Sequence, residues 1–175
     1  MLINLLNVLS QEGKEQDLQI PIEMESFQNR GDICKISEKG DLHLHLVNKG
    51  DKLVDMTGDV ALTVMIPCAR CLEPMAVPFD IQIEYELDLK KTEAEREAEL
   101  DEMDFLSGLD MDIEKLVYNE ILINWPIRVL CKDDCQGICS HCGVNLNKET
   151  CECDTHELDP RMAAIRDIFS NFKEV

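Results

Sequence analysis

The 175-residue sequence is poor in several features that mark common classes of protein. With 8 Gly and 6 Pro it is neither collagen-like nor of low complexity. It has no apolar run near the roughly 18 residues that a membrane-spanning helix needs, so we expect no membrane association. The apolar residues 1–9 have no basic segment before them and no small-residue cleavage pattern after them. They are therefore not expected to be a secretion signal, and we predict a cytoplasmic protein.

Basic residues are scarce. There are 17 Lys and Arg against 36 Asp and Glu, which gives a net charge of −19, and not even four basic residues form a cluster. Broad binding to nucleic acid is not expected, because it depends on cations that displace phosphate counterions; a basic protein is the better electrostatic match. The acids are concentrated in residues 80–120, where 15 acids accompany 4 bases. We expect residues 91–110 to form an acidic linker or a solvated helix.

Signatures of enzymes are also missing. The sequence contains no phosphate-binding loop, nucleophile elbow, zinc-protease helix or glycine-rich dinucleotide fingerprint. We therefore expect a non-enzymatic protein without a small-molecule substrate. His43 and His45 alternate with leucine and should face the same side of a strand, where a two-histidine metal site is one interpretation and exposed strand positions are the favoured one.

The first half of the chain predicts β-strands. Apolar and polar residues alternate, or β-branched residues accumulate, in segments 18–22, 32–37, 41–46, 60–66 and 79–89. Glycine-centred turns are predicted at 39–41, 49–51 and 57–59. This spacing is typical of an antiparallel β-sheet or a small open barrel, and we assign it to a domain over residues 1–90.

The second half predicts helices, which makes the chain an α+β protein. Asp112 should cap a helix that ends before Trp125 and Pro126. Its apolar side would carry Ile113, Leu116, Val117, Ile121 and Leu122. A closing helix should begin at Asp159 and Pro160, with an apolar stripe of Met162, Ile165, Phe169 and Phe172. Residues 111–175 are thus predicted to be a helical region that includes a cysteine-rich, zinc-knuckle-like tail at 131–153.

The nine cysteines carry most of the chemical information. They are Cys34, Cys68, Cys71, Cys131, Cys135, Cys139, Cys142, Cys151 and Cys153. Cys34 stands alone and is expected to be a small buried apolar residue. The other eight are clustered, and without an export signal their spacing favours metal-binding or redox thiols over disulfides.

Our first choice of metal site is the set Cys139, Cys142, Cys151 and Cys153. Cys139 and Cys142 are two residues apart and are followed by Gly143, a spacing that lets both thiolates reach one ion from a tight turn. The last two cysteines follow after a short loop. Four thiolates around Zn²⁺ leave no open position for water, so the predicted zinc ion is structural.

Other ligand sets remain open. Cys131 and Cys135 are four residues apart, could share one face of a helix, and either could replace Cys151 or Cys153. The six thiols could also hold a two-metal cluster, and His141 and His156 are alternative nitrogen donors. An iron–sulfur cluster and a set of metal-free thiols are further alternatives.

Cys68 and Cys71 belong to a second motif, residues 67–74, which is predicted to be the tip of a hairpin. The pair is a possible second half-site for metal, completed by spare thiols of the tail. It could instead be a redox pair or a structural element. Redox pairs of this spacing usually lie between a strand and a helix, and a strand follows here, which disfavours the redox interpretation. Arg70 between the two thiols could contact RNA or an acidic surface, or be solvated.

Both motifs resemble one known family. Residues 67–74, and residues 130–147 followed by Cys151-Glu152-Cys153, are similar to motifs of the YceD-like family, also called large ribosomal RNA subunit accumulation proteins. Residues 159–165 resemble that family's closing helix. The sequence departs from the family pattern at Ser140 and His141, where the family often has proline followed by another residue.

The resemblance implies a role in the accumulation or processing of large-subunit ribosomal RNA. It also implies a basic large-subunit ribosomal protein or a precursor rRNA as partner, and it implies no enzymatic activity. We therefore expect a non-enzymatic biogenesis factor with a structural zinc site. A thiol redox protein or sensor that uses Cys68 and Cys71, and a generic metal-binding module, are the alternatives.

Overall fold

A computed structural model describes residues 1–29, 31–91, 95 and 103–153. In chain order its elements are β1 (Leu2–Asn4), α1 (Leu6–Leu9), β2 (Glu15–Ile20), β3 (Ser26–Asn29), β4 (Asp32–Lys39), β5 (Leu42–Gly50), β6 (Leu53–Pro67), β7 (Pro74–Asp88), β8 (Leu106–Ser107), β9 (Asp110–Asp112) and α2 (Ile113–Ile123).

The main element is an antiparallel sheet, which confirms the predicted β architecture. Over the described residues its strand order is β2-β5-β6-β4-β3, and β7 lies along the other edge of β6. β6 and β7 form one hairpin that pairs from Leu53 with Asp88 to Pro67 with Pro74. The strands predicted at 60–66 and 79–89 therefore belong, except for Leu89, to two 15-residue strands. Their alternating side chains put one row, which includes Val60, in the core.

The turn predicted at 57–59 is wrong. Gly58 lies inside β6, paired with Ile83 on one side and with Leu44 on the other. A Cβ atom on Gly58 would lie 2.3 Å from the carbonyl oxygen of His43 and 2.7 Å from Cδ2 of Leu44. The glycine thus permits a close approach of two strands instead of a change of direction. The chain does turn near the other two predicted glycines, between β4 and β5 and between β5 and β6.

Helix α2 confirms part of the helical prediction. The side chain of Asp112 accepts a hydrogen bond from the backbone N–H of Glu114, as an N-cap should. The side chains of Ile113, Leu116, Val117 and Ile121 are fully buried in the core. Leu122 is 41% exposed, so its predicted place on the apolar side is wrong. It follows Ile121 by one residue, a rotation of about 100° around the helix that turns it away from the core.

Several features of the N-terminal region were not predicted. β1 pairs with β9, which also pairs with β8, in a small separate sheet. The four-residue helix α1 buries Val8. Such short elements show no recognisable period in the sequence. The predicted burial of Cys34, in contrast, is confirmed, since its exposed fraction is 3%.

The chain divides into two compact units. Unit 1 comprises Met1–Cys68 and Glu73–Val129, and therefore includes both sheets and α2. Unit 2 comprises Ala69–Leu72 and the chain from Leu130 onward. The closing helix predicted at 159–172, and residues 92–94 and 96–102 of the acidic segment predicted at 91–110, lie outside the described residues. Among the helices that the structure describes, none is long and apolar enough to cross a membrane.

Candidate metal centres

The first candidate centre begins at the tip of the β6–β7 hairpin. Cys68 follows β6 directly, and its backbone N–H donates a 2.8 Å hydrogen bond to the carbonyl of Glu73. Leu72 has a φ of 62°, which reverses the chain before β7. Strands therefore flank the Cys68–Cys71 pair on both sides, as the sequence predicted. Both cysteines are buried, with exposed fractions of 0% and 5%.

Arg70 lies between the two cysteines and contacts the later cysteine-rich segment. Its Nη1 donates a 2.8 Å hydrogen bond to the carbonyl oxygen of Cys135. Its own carbonyl accepts a hydrogen bond of 3.2 Å from the backbone N–H of Ile138. Gly137 adopts a φ of 81°, and a Cβ there would lie 3.1 Å from the Arg70 carbonyl oxygen. The backbone geometry at Gly137 thus lets the two segments of unit 2 lie side by side.

The hairpin-tip cluster consists of Cys68, Cys71, Cys131 and Cys135. Their four Sγ atoms lie within 4.8 Å of one another, and those of Cys71 and Cys131 are 3.5 Å apart. The predicted half-site of Cys68 and Cys71 is therefore joined by two thiols of the tail. The shared helix face proposed for Cys131 and Cys135 is wrong. Cys131 lies in a bend, and Cys135 ends a turn closed by a 3.1 Å hydrogen bond from its backbone N–H to the carbonyl of Lys132.

The knuckle cluster consists of Cys139, Cys142, Cys151 and Cys153, whose Sγ atoms also lie within 4.8 Å of one another. Two backbone hydrogen bonds hold the turn closed. The N–H of Gly143 donates to the carbonyl of Cys139 at 2.9 Å, and the N–H of Cys139 donates to the carbonyl of Val144 at 2.8 Å. Gly143 has a φ of 75°, a left-handed conformation that glycine adopts without strain. The structure thus brings together the four cysteines of our first-choice set, while Cys131 and Cys135 belong to the other cluster.

The donors of both clusters fit a tetrahedral metal ion. Around zinc, with Zn–S bonds of about 2.3 Å, neighbouring sulfurs lie about 3.8 Å apart, so small movements would close either group on an ion. Polar hydrogens also point at the sulfurs. The side-chain amide of Asn147 donates to Sγ of Cys135 at 3.3 Å, and the backbone N–H of His141 donates to Sγ of Cys139 at 3.4 Å. Such donors stabilise metal-binding thiolates.

The same hydrogen bonds shift the acidity of one thiol in each cluster. Backbone N–H groups of Cys142 and His141 lower the pKa of Cys139 to about 6. Burial raises the pKa of Cys135, but hydrogen bonds from Asn147 and the backbone of Gly137 outweigh it, so the net shift is downward. The hydrogen bonds therefore favour the thiolate form of Cys139 and of Cys135, the form that binds a cation.

The remaining knuckle thiols shift the other way. The hydrogen bond with Cys142, together with burial and the nearby Cys139, raises the pKa of Cys153 to about 12. The pKa of Cys151 is also raised, because the thiols of Cys139 and Cys142 and burial outweigh the lowering effect of the Cys153 backbone N–H. Four adjacent sulfurs cannot all carry a negative charge without a cation between them.

The histidines contribute to neither cluster over the described residues. His141 is exposed, and His156 lies outside the described residues. His43 and His45 lie on β5, as predicted, but their side chains contact residues of different neighbouring strands. Nδ1 of His43 lies 3.4 Å from a carboxylate oxygen of Asp59 on β6, and Nδ1 of His45 lies 2.7 Å from one of Asp17 on β2. This arrangement does not support a shared two-histidine metal site.

One contributor was not found from the sequence. Asn147 donates to the thiol of Cys135, and its Oδ1 accepts a 2.9 Å hydrogen bond from the backbone N–H of Gln136. An asparagine twelve residues from a cysteine gives no local signal of this role. Only the return of the chain past the knuckle brings the two residues into contact.

An antiparallel β-domain with two clusters of four cysteines, each of which could hold a metal ion, defines a class of cysteine-rich β-proteins. Within that class, the profile of the large ribosomal RNA subunit accumulation protein YceD family matches residues 56–169. The chain therefore belongs to the YceD family, and the resemblance drawn from its motifs is confirmed.

Individual relatives agree with this assignment. The chain is 29% identical over 126 residues to an uncharacterized protein of Mycobacterium tuberculosis and to one of Mycobacterium bovis. These alignments cover 71% of this chain but 58% of each relative, so the chain spans less than two thirds of their length. It is 36% identical over 50 residues, 29% of this chain and 16% of the relative, to the chloroplastic large ribosomal RNA subunit accumulation protein YCED homolog 1 of Arabidopsis thaliana. No solved structure matches the chain.

Proposed function

We propose that this chain is a non-enzymatic factor in the biogenesis of the large ribosomal subunit, stabilised by two structural zinc ions. One observation carries the proposal: eight of the nine cysteines gather into two groups of four sulfurs. Each group supplies a full tetrahedral ligand set and leaves no position for a substrate or a catalytic water. The family name supports the connection to large-subunit rRNA accumulation.

The proposed partner is a basic large-subunit ribosomal protein or an rRNA intermediate. The net charge of −19 favours the protein, because an acidic surface attracts cations and repels phosphate. Arg70, the base in the hairpin motif, donates to the carbonyl of Cys135 and is thereby held against the protein. Arg70 is nevertheless exposed, so any contact with RNA through it would be local. A cytoplasmic location stays a prediction.

The redox alternative has less support. Cys68 and Cys71 are buried, and each lies near two further thiols instead of standing as an accessible pair. Reactive redox cysteines are partly exposed and usually lie at the N-terminus of a helix. Alkylation of the reduced protein tests this alternative, since a redox pair would react well below the ordinary thiol pKa and form a reversible disulfide.

Two measurements test the proposed function. Elemental analysis of reduced protein purified without oxygen should give two zinc ions per chain. In a deletion strain, ribosome profiles should show fewer large subunits relative to small ones. Wild-type protein and a Cys34→Ala control, which removes a thiol outside both clusters, should restore the ratio, whereas Cys139→Ser should not. A normal subunit ratio in the deletion strain would reject the ribosomal role and leave the generic metal-binding module.

A further inference from the structure

β7 is an edge strand of the main sheet. Over the described residues it pairs with β6 alone, although it is 15 residues long. A long edge strand presents a row of backbone N–H and C=O groups on which another strand can be added. β2 and β3, at the two ends of the strand order, are shorter, with 6 and 4 residues.

Prolines show which backbone groups of β7 face outward. Pro74 lies opposite Pro67, and Pro78 lies opposite Thr63. Because proline has no N–H, these residues occupy pairs that do not exchange hydrogen bonds with β6. Positions two residues apart repeat this orientation, so the N–H and C=O groups of Asp80, Gln82 and Glu84 also point away from β6.

These outward groups lie in an exposed part of the strand. The side chains of Asp80, Gln82 and Glu84 are exposed, while Ile81 and Ile83 between them are buried. Over the described residues, no backbone hydrogen bond extends from these three positions beyond the β6–β7 ladder. Pro78 cannot donate and therefore sets the limit of any added strand on that side.

The charge along this edge has one sign. No lysine or arginine occurs from Pro74 to Leu89, whereas Asp80, Glu84 and Glu86 are exposed acids of the same row. Asp59 of β6, which is paired with Gln82 of β7, adds another carboxylate beside these acids. A nucleic acid strand would be repelled here. An extended chain with a basic side chain at every second position would place its charges opposite the acids.

We propose that the edge of β7 over residues 80–84 binds an extended lysine- and arginine-rich protein segment as an added strand. The backbone groups supply the hydrogen bonds, and the row of acids selects a basic segment. The inference rests on the proposed function for its partner, since it specifies where and in what conformation a basic ribosomal protein would bind.

The test uses the full zinc-loaded chain and a short fluorescent peptide in which lysine and valine alternate. Binding should weaken as salt is raised, and Asp80→Asn with Glu84→Gln should reduce the affinity about tenfold. The matched control is Glu25→Gln with Asp32→Asn, which changes the net charge equally at exposed residues elsewhere and should have little effect.

Peptides methylated on backbone nitrogen distinguish binding by strand addition from nonspecific electrostatic attraction. Methylation at alternate residues in one register should abolish binding, because those N–H groups face β7, and methylation in the other register should leave it intact. Any of three results would overturn the inference. They are equal binding of both methylated peptides, equal losses of peptide affinity in the two protein variants, and stronger binding of a short single-stranded RNA than of the peptide. If peptide binding fails but the deletion strain still lacks large subunits, the edge inference alone is rejected.

Discussion

The guanidinium of Arg70 donates to the backbone carbonyl of Cys135, so a side chain of the hairpin tip holds a residue of the hairpin-tip cluster that lies 65 positions later. The same two segments are joined by the hydrogen bond from the Ile138 N–H to the Arg70 carbonyl. These hydrogen bonds place the two cysteines of the tip, Cys68 and Cys71, next to two cysteines of the tail, Cys131 and Cys135.

Replacing Arg70 by alanine should weaken retention of the zinc ion that we propose for the hairpin-tip cluster. The variant loses one charge-assisted hydrogen bond, a contribution of about 1 kcal/mol for a partly exposed group. Zinc release to a chelator should become several-fold faster for one of the two ions. Arg70→Lys keeps the charge but not the planar geometry, so it should resemble the alanine variant. Unchanged release in Arg70→Ala would show that the bond does not support the cluster.

Single cysteine substitutions should remove one zinc at a time. Cys71→Ser should empty the hairpin-tip cluster and Cys139→Ser the knuckle cluster, since three thiolates and a hydroxyl bind zinc poorly. Each variant should retain one zinc per chain by elemental analysis. Two zinc ions retained in either variant would mean that the ligand set is wrong.

The two ions should also leave at different rates. Cys142 of the knuckle cluster is exposed, whereas three of the four hairpin-tip cysteines are buried. A chelator should therefore remove about half of the zinc in a fast phase, and Cys142→Ser should abolish that phase. A single phase for both ions would contradict the difference in accessibility.

Metal binding should release fewer protons than four free thiols would. Because the pKa of Cys139 is lowered to about 6, this thiol is already ionised at pH 7. Zinc binding to the knuckle cluster should then release fewer than four protons, measured by calorimetry in buffers of different ionisation enthalpy. Release of four would show that the metal-free segment does not hold the hydrogen bonds to Cys139.

The lowered pKa of Cys139 also sets the sign of the pH dependence. Its folded-state pKa lies below the ordinary value of 9.0, so its contribution to the stability of unit 2 is present above about pH 9 and is lost as the pH falls through about 6. Cys153, with its pKa raised to about 12, has the opposite sign and loses its contribution as the pH rises. Thermal unfolding of metal-free protein between pH 5 and 9 should show the first effect, a stability that rises with pH, and a flat profile would contradict it.

Gly58→Ala should destabilise the sheet by about 2 kcal/mol, because the added Cβ would clash with the carbonyl oxygen of His43. Gly108→Ala is the control: its φ is 61°, but no atom lies within 4 Å of the added Cβ, so backbone strain alone should cost about 1 kcal/mol. Urea denaturation of each variant measures the difference. Equal losses would mean that the close approach of β5 and β6 is readily relieved.

Local patterns predicted much of this protein. Alternation and β-branched residues located five of the six strands that the structure describes in the main sheet and missed β3. Asp112 marked the start of α2, and the spacing around Cys139 and Cys142 identified the knuckle. Each of these signals lies within about a dozen neighbouring residues, where side-chain period and turn chemistry act directly. The interpretation of Gly58 as a turn failed because a glycine required by close strand contact looks the same in sequence as a glycine required by a bend.

Tertiary structure alone decided how the cysteines are divided. By sequence, Cys131 and Cys135 were closer to the knuckle than to Cys68 and Cys71, and spacing left several ligand sets open. The hydrogen bonds of Arg70 with Cys135 and Ile138 resolve the choice, because they bring the hairpin tip against the tail. A ligand set drawn from distant segments depends on how the chain folds back on itself. The local periodicity of the sequence contains no information about that long-range arrangement.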